Sequence, residues 1–218
     1  MFVQIIEGRV KGAAALRTQF DHWAAELGVH TQVVPDAGPI QVPALGWIGT
    51  TASISEAGEF IAVVRFESEA AARLNSDRPE QGEWWAETAR HFEGDAIFHD
   101  CADVDILLDG GSDDAGFVQI AQGHAKDVAR VRALNAHLET WRRAHRPDVI
   151  GGTVAWHGDG GFTETVYFTS EAEAREGERK PRPADATAHF DEWLSLVDGL
   201  RSTGSPDPWF QSAVRVTS

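Results

Sequence analysis

Apolar residues along this chain fall into two repeating spacings. Phe2 to Glu7 is a β-rich run that fits a buried strand. Between Ala13 and Leu27 the apolar positions Leu16, Phe20, Trp23 and Leu27 recur at a helical interval. Leu45 to Ile54 and Glu59 to Phe66 then read as two strands joined by a turn at Gly58. Ser68 precedes an alanine-rich run with Glu69 in its first turn, the signature of a capped helix start. Pro79 interrupts that helix, and Glu80 to Phe92 resumes it with Trp84, Trp85 and Phe92. Asp95 to Val104 is expected to be a closing strand.

The same string then recurs. Phe2-Val3-Gln4-Ile5 returns as Phe117-Val118-Gln119-Ile120, an offset of 117 − 2 = 115. Residues 58–73 align without a gap on 160–175, with nine of sixteen identical, at an offset of 160 − 58 = 102. Repeat 1 therefore carries 115 − 102 = 13 additional residues, assigned to the stretch from Gly28 to Pro43, which has no counterpart. A loop of this length is expected to act as a lid or an interaction arm, or to be a passive surface excursion. In repeat 2 the first helix shows Val131, Leu134, Leu138 and Trp141. The second shows Phe190, Trp193, Leu194 and Val197, and the closing strand is placed near Trp209 to Val216. The polar, glycine-rich run 109–116 marks the boundary. The expected organisation is a first module at 1–108, a linker at 109–116 and a second module at 117–218.

Each module is β-α-β-β-α-β, the split βαβ, or ferredoxin-like, arrangement. Helices cover one sheet face. The other would expose apolar side chains unless it met a second sheet. The expected fold is therefore α+β, with two tandem ferredoxin-like modules packed sheet to sheet.

Composition narrows the partners. The formal net charge of −15 disfavours DNA and anionic membranes, which attract Lys and Arg. No apolar run approaches a membrane span. Met1 leads straight into Phe2-Val3-Gln4-Ile5-Ile6, too short for a signal core. With a single cysteine, Cys101, a disulfide framework is excluded and a cytoplasmic location is expected. Pairing within the chain leaves monomer and homodimer both open.

The run Phe66-x-Ser68-Glu69-Ala70-x-Ala72, followed by Pro79 and by Trp84-Trp85, recurs in part as Phe168-x-Ser170-Glu171-Ala172-x-Ala174. This pattern resembles the antibiotic biosynthesis monooxygenase-like group of the dimeric α/β-barrel superfamily, over nearly the whole chain. The resemblance implies an intrachain version of the dimeric barrel. It also implies a cavity between helices and sheet, bordered by the second helix. The group includes cofactor-free oxygenases acting on polycyclic phenols and haem-degrading enzymes, and the wider superfamily includes tandem-repeat haem enzymes. Fold alone does not fix the chemistry.

No phosphate loop, dinucleotide fingerprint, nucleophile elbow or HExxH is present. A cofactor-independent oxygenase needs a dry pocket, a group that deprotonates or orients a phenol, and donors for the resulting oxyanion. The residues singled out as catalytic are Arg65, Asn75 and His91. Arg65 lies in a strand in line with Ile61 and Val63, so it needs an anion, from the protein or from a ligand. Its repeat-2 counterpart is Tyr167, the chain's one tyrosine. His91, as a histidine, suits a general base, or else is a flanking surface residue. Trp84, Trp85, Tyr167 and Glu164 are the expected pocket residues. Glu164 alternates with Phe162 and Val166, which turns it toward the core. The nine histidines show no i, i+4 pair and no cysteine partners, so no metal site and no cofactor are expected.

The leading reading is a monooxygenase-like oxidoreductase binding a hydrophobic or aromatic small molecule, with its pocket in repeat 1. One alternative is a non-catalytic binding or scaffold protein. A second is a haem-binding tandem barrel with His189, His137 or His124 as axial ligand.

Overall fold

The computed structural model describes residues 1–34, 38–43, 45–205 and 208–212. The fold is α+β. In chain order the elements are β1 (Phe2–Arg9), α1 (Ala13–Glu26), β2 (Val29–Val34), β3 (Gly38–Pro43), β4 (Trp47–Ile54), β5 (Glu59–Phe66), α2 (Glu69–Ser76), α3 (Pro79–Thr88) and β6 (Ile97–Cys101). They continue with β7 (Asp103–Leu107), β8 (Phe117–Ala125), α4 (Val128–His145), β9 (Val149–Trp156), β10 (Gly161–Phe168), α5 (Glu171–Arg179), α6 (Ala184–Ser195), β11 (Val197–Ser205) and β12 (Trp209–Ser212). A single 3₁₀ turn, Ala89–His91, follows α3.

Two five-stranded antiparallel sheets carry the structure, in the orders β12-β4-β5-β1-β6 and β11-β8-β10-β9-β7. They define two compact units. One gathers residues from Met1 to Ala102 and the strand at Trp209, and the other runs from Asp103 to Pro208. These units are not coextensive with the sequence repeats, because an edge strand of each sheet comes from the far end of the other repeat. Asp95 to Val104 is not one closing strand. β6 pairs with β1, and after Ala102 the chain becomes β7, which pairs with β9. Similarly, the closing strand of repeat 2 is β11 on β8, while β12 pairs with β4 in the first unit. Residues 213–216 of the expected closing strand lie outside the described residues. The sequence hid β11 because Val197-Asp-Gly-Leu-Arg-Ser-Thr-Gly-Ser205 is an edge strand. Asp198 to Ser202 are all exposed, so no apolar alternation marks it. In this register His99 pairs with Ile5 and Thr203 pairs with Ile120, so the counterpart of His99 is Thr203 rather than Gln211.

Within the stretch from Gly28 to Pro43, Val29–Val34 and Gly38–Pro43 pair as an antiparallel ribbon, β2 with β3. Leu45 and Gly46 both take positive φ (51° and 70°), so β4 starts at Trp47 and not at Leu45. The predicted caps hold. Ser68 Oγ accepts from the Ala71 amide at 3.1 Å, Ser170 Oγ from the Glu173 amide at 3.3 Å, and Pro79 opens α3.

Strand alternation sorts each sheet into two faces. In the first unit Phe2 and Ile6 of β1 and Phe60, Ala62, Val64 and Phe66 of β5 join Leu16, Phe20 and Trp23 of α1 in one core. Val3, Ile5 and Val63 point to the opposite sheet face and are fully buried as well. In the second unit Val154, Trp156 and Phe162 meet Val131, Leu134 and Leu138 of α4, and Val166 and Phe168 form a neighbouring cluster. Between helices and sheet, the two units differ in how much space they leave.

Candidate functional site

In the first unit that space is almost filled. A cavity of about 30 Å³ remains, lined by Gln4, Phe20, Trp23, Asn75, Gln81 and Trp84 among others. This is roughly the volume of one water. Its polar groups are engaged within the protein. Trp23 Nε1 donates to Gln81 Oε1, Trp84 Nε1 donates to the Gln19 carbonyl at 2.9 Å, and Asn75 Oδ1 accepts from Arg78. Arg78 also donates to the Leu27 carbonyl at 3.2 Å. Burial pushes its guanidinium below the ordinary arginine value, with Glu80 opposing the shift.

In the second unit a cavity of about 300 Å³ opens at the corresponding place. This lies at the small end of ligand pockets. Three positions that border the first cavity carry smaller residues in repeat 2, and of these Leu138 lines the larger cavity. At an offset of 115, Phe20 and Trp23 correspond to Asn135 and Leu138, and at an offset of 102 Asn75 corresponds to Gly177. Gln119 lines this cavity as Gln4 lines the smaller one, so the glutamine shared by both repeats marks the sheet side of each.

One wall comes from α4. Leu138, Trp141 and Arg142 stand at i, i+3 and i+4, so they share a helix face. The sheet contributes Val149, Glu164, Val166 and Phe168. Glu164 replaces Ala62 of the first repeat and points to the helix side, as the alternation with Phe162 and Val166 predicts. It is 7% exposed, and Arg142 Nη1 lies 3.2 Å from its Oε1.

A second buried pair stiffens the neighbouring wall. Arg146 Nε and Nη2 donate to the two carboxylate oxygens of Asp148 at 2.9 and 2.7 Å, a forked geometry with both side chains buried. The guanidinium occupies the space over Gly177, where an added Cβ would come within 2.3 Å of Arg146 Nε.

The last wall comes from the link between α5 and α6, Lys180-Pro181-Arg182-Pro183. Prolines on both sides of Arg182 fix φ and hold the backbone extended. The Arg182 guanidinium lies 4.2 Å from the Phe190 ring centroid and 6.0 Å from that of Trp141, a cation–π arrangement.

Among the residues singled out from sequence, the fold brings Asn75 and Trp84 together in the small first cavity and places Glu164 in the large second one. It does not assemble Arg65, Asn75 and His91. Arg65 is 5% exposed and shares the face of Ile61 and Val63, opposite the side of β5 that meets the helices. It lies beside Gly49, where a Cβ would be 3.0 Å from Arg65 Nη2. Tyr167, fully buried, takes the equivalent face of β10, opposite Glu164. His91 ends the 3₁₀ turn, and its carbonyl accepts from the Lys11 amide at 2.9 Å. Trp85 packs on Phe92 and Phe98, outside either cavity lining.

Neither cavity is lined by a histidine. His137 and His189 stack on each other at 4.6 Å, and His124 Nε2 meets the Asp159 carbonyl at 2.8 Å. The described residues hold no cluster of three or more metal-ligating side chains. No described helix is long and apolar enough to cross a membrane.

Sequence reasoning missed Arg142, Arg146 and Arg182. Signals pointed to two of them, Arg182 and Arg142. Pro181-Arg182-Pro183 immobilises a cation, and replacing Ala62 by Glu164 puts into the core a charge that needs a partner.

No protein-family model matches the chain, and no curated protein matches it. Solved structures do. A proposed monooxygenase from Lactobacillus acidophilus superposes with a TM-score of 0.66 at 11% identity, covering 98% of this chain and 97% of that one. A proposed monooxygenase from Fusobacterium nucleatum gives 0.68 at 8% identity, covering 98% and 95%. An anthrone oxidase-like protein gives 0.61 at 9% identity, covering 98% and 94%. At these identities the likeness shows the fold alone, shared over nearly the whole chain with these three structures.

Proposed function

We propose that this chain is a cofactor-free, monooxygenase-like enzyme for a hydrophobic or aromatic small molecule, and that its reaction site is the second-unit cavity. The observation that carries this reading is Glu164, a carboxylate buried in an aromatic-walled space of about 300 Å³, where repeat 1 has Ala62 and almost no space. A buried carboxylate facing a pocket is the group such a reaction needs to take a proton.

In this reading the substrate is the keto tautomer of a polycyclic phenol, whose ring methylene gives an enolate-stabilised carbanion when one of its C–H protons is lost. Glu164 accepts the proton, and the nearby guanidinium of Arg142 offsets the developing oxyanion. The carbanion reduces dioxygen. A C–O bond forms, and the peroxide takes up the proton. Loss of the second methylene proton with cleavage of the O–O bond releases water and leaves a carbonyl. The apolar walls of Val166, Phe168 and Phe190 exclude water from the peroxide.

The Arg142 partner also favours a second reading, a binding protein without turnover, because the carboxylate is already engaged by a guanidinium of the protein. Oxygen uptake separates the two. Screened with phenolic substrates, the wild type consumes oxygen, and Glu164→Gln lowers kcat by about 10²–10⁴-fold, the usual contribution of a general base. Uptake that survives Glu164→Gln at the wild-type rate would remove Glu164 from the mechanism. An absence of uptake together with saturable binding would establish the binding protein.

A further inference from the structure

The polar lining of the second-unit cavity is not balanced, and the imbalance indicates what the ligand carries. Three guanidinium groups line it: Arg142, Arg146 and Arg182. Arg142 is held by Glu164 at 3.2 Å and Arg146 by Asp148 at 2.7 Å. The remaining lining acid, Glu178, pairs with Arg175 at 3.2 Å. Arg182 has no carboxylate within ion-pair distance among the described residues. Its contacts are the rings of Phe190 and Trp141. Ring contacts of this kind give the guanidinium no oxygen acceptor for its N–H groups. Trp141, which shares this wall, has a buried indole Nε1 with no acceptor among the described residues. A buried N–H without a partner costs about 1–3 kcal/mol, so an acceptor placed there is favoured. Two donors of adjacent side chains, one of them cationic, therefore lack an oxygen partner.

We infer that this cavity takes a flat aromatic ligand bearing a carboxylate, with Arg182 and the Trp141 indole N–H as the donors that hold it. The inference rests on the reading that the second-unit cavity is the ligand site, and it adds the charged group by which the ligand is chosen. A carboxylate has two coplanar acceptor oxygens, which suits a guanidinium edge and an indole N–H at the same time. The prolines on either side of Arg182 lower the entropy lost when the anion is clamped, since the backbone is already fixed. With Val166, Phe168 and Phe190 forming the remaining wall, the ring system of the ligand is enclosed by apolar groups while its carboxylate meets Arg182.

The test is isothermal titration calorimetry of the full chain with 2-naphthoate and its neutral isostere 2-naphthamide. Four proteins are compared: wild type, Arg182→Gln, Trp141→Phe and the cavity-filling Leu138→Trp. Circular dichroism and thermal unfolding confirm that each is folded. The expected result is that wild type binds the carboxylate about tenfold to a hundredfold more tightly than the amide, the range of one charge-assisted contact. Arg182→Gln removes that preference by weakening carboxylate binding far more than amide binding, Trp141→Phe reduces it several-fold, and Leu138→Trp binds neither compound. Arg182→Lys keeps the charge without the planar fork and restores part of the preference. Equal binding of carboxylate and amide by wild type, blocked by Leu138→Trp, would overturn the anion inference and leave the cavity as the ligand site. Binding that ignores Leu138→Trp, or no binding of either compound, would overturn both.

Discussion

Replacing Asp148 by alanine gives a clear test of the energetics, because Asp148 holds the Arg146 wall of the large cavity in place. Arg146 and Asp148 have side-chain exposures of 8% and 9%, and the guanidinium makes forked contacts at 2.7 and 2.9 Å. Its remaining polar contact, to the Ala174 carbonyl at 3.4 Å, is weak, and the Phe168 ring centroid is 5.9 Å away. Removing the carboxylate leaves a buried cation with little to offset its desolvation, which costs about 3–5 kcal/mol. At about 2–4 °C per kcal/mol for a chain of this length, the Tm falls by roughly 10 °C. Replacing both partners, Arg146→Met with Asp148→Leu, recovers most of that loss, since no charge then remains buried. Urea unfolding followed by circular dichroism measures the loss in Asp148→Ala and its recovery in the double variant. A single-variant loss below about 1 kcal/mol, the range of exposed pairs, would refute the view that this pair is desolvated and rigid.

Two further predictions follow from burial. Cys101 is fully buried in β6, and burial together with the Asp100 charge pushes its thiol up to about 12. The folded state therefore keeps the proton when the unfolded thiol, with its ordinary value of 9.0, has lost it. That contribution is intact below pH 9 and is lost as pH rises toward 12, so the wild-type urea midpoint should fall more steeply over this window than that of Cys101→Ala. Parallel curves would contradict it. Phe60, 2% exposed, packs at 5.4 Å from Phe20 and 5.6 Å from Phe92, and Phe60→Ala should cost about 3–5 kcal/mol in the same assay.

Much of the fold was legible because its signals are local. Ser68 and Ser170 cap helices, Pro79 restarts one, and matching blocks at fixed offsets reveal the repeat. The edge strands were not. β11 carries an exposed, glycine-containing sequence, and the partners of β7 and β12 are chosen by tertiary pairing that no local pattern encodes. The site was legible only at Glu164, where strand alternation gives the direction of the side chain. Tryptophans pointed to repeat 1, yet Trp23 and Trp84 fill most of that space and leave only a small opening. The open cavity arises where repeat 2 has smaller residues, and smaller residues leave no positive mark in a sequence. Arg65 was expected to be catalytic and Tyr167 to line the pocket, and both are buried strand residues. They occupy the sheet face away from the helices, so alternation separates them from the cavities.

The central claim, that the second-unit cavity is the working site, is tested most directly by Leu138→Trp, which places at that position the residue that repeat 1 has at Trp23. The measurement is oxygen uptake with a phenolic substrate turned over by the wild type. The account predicts a loss of two orders of magnitude or more in a variant that remains folded. Uptake at the wild-type rate by folded Leu138→Trp would contradict it and send the search for the site elsewhere in the chain.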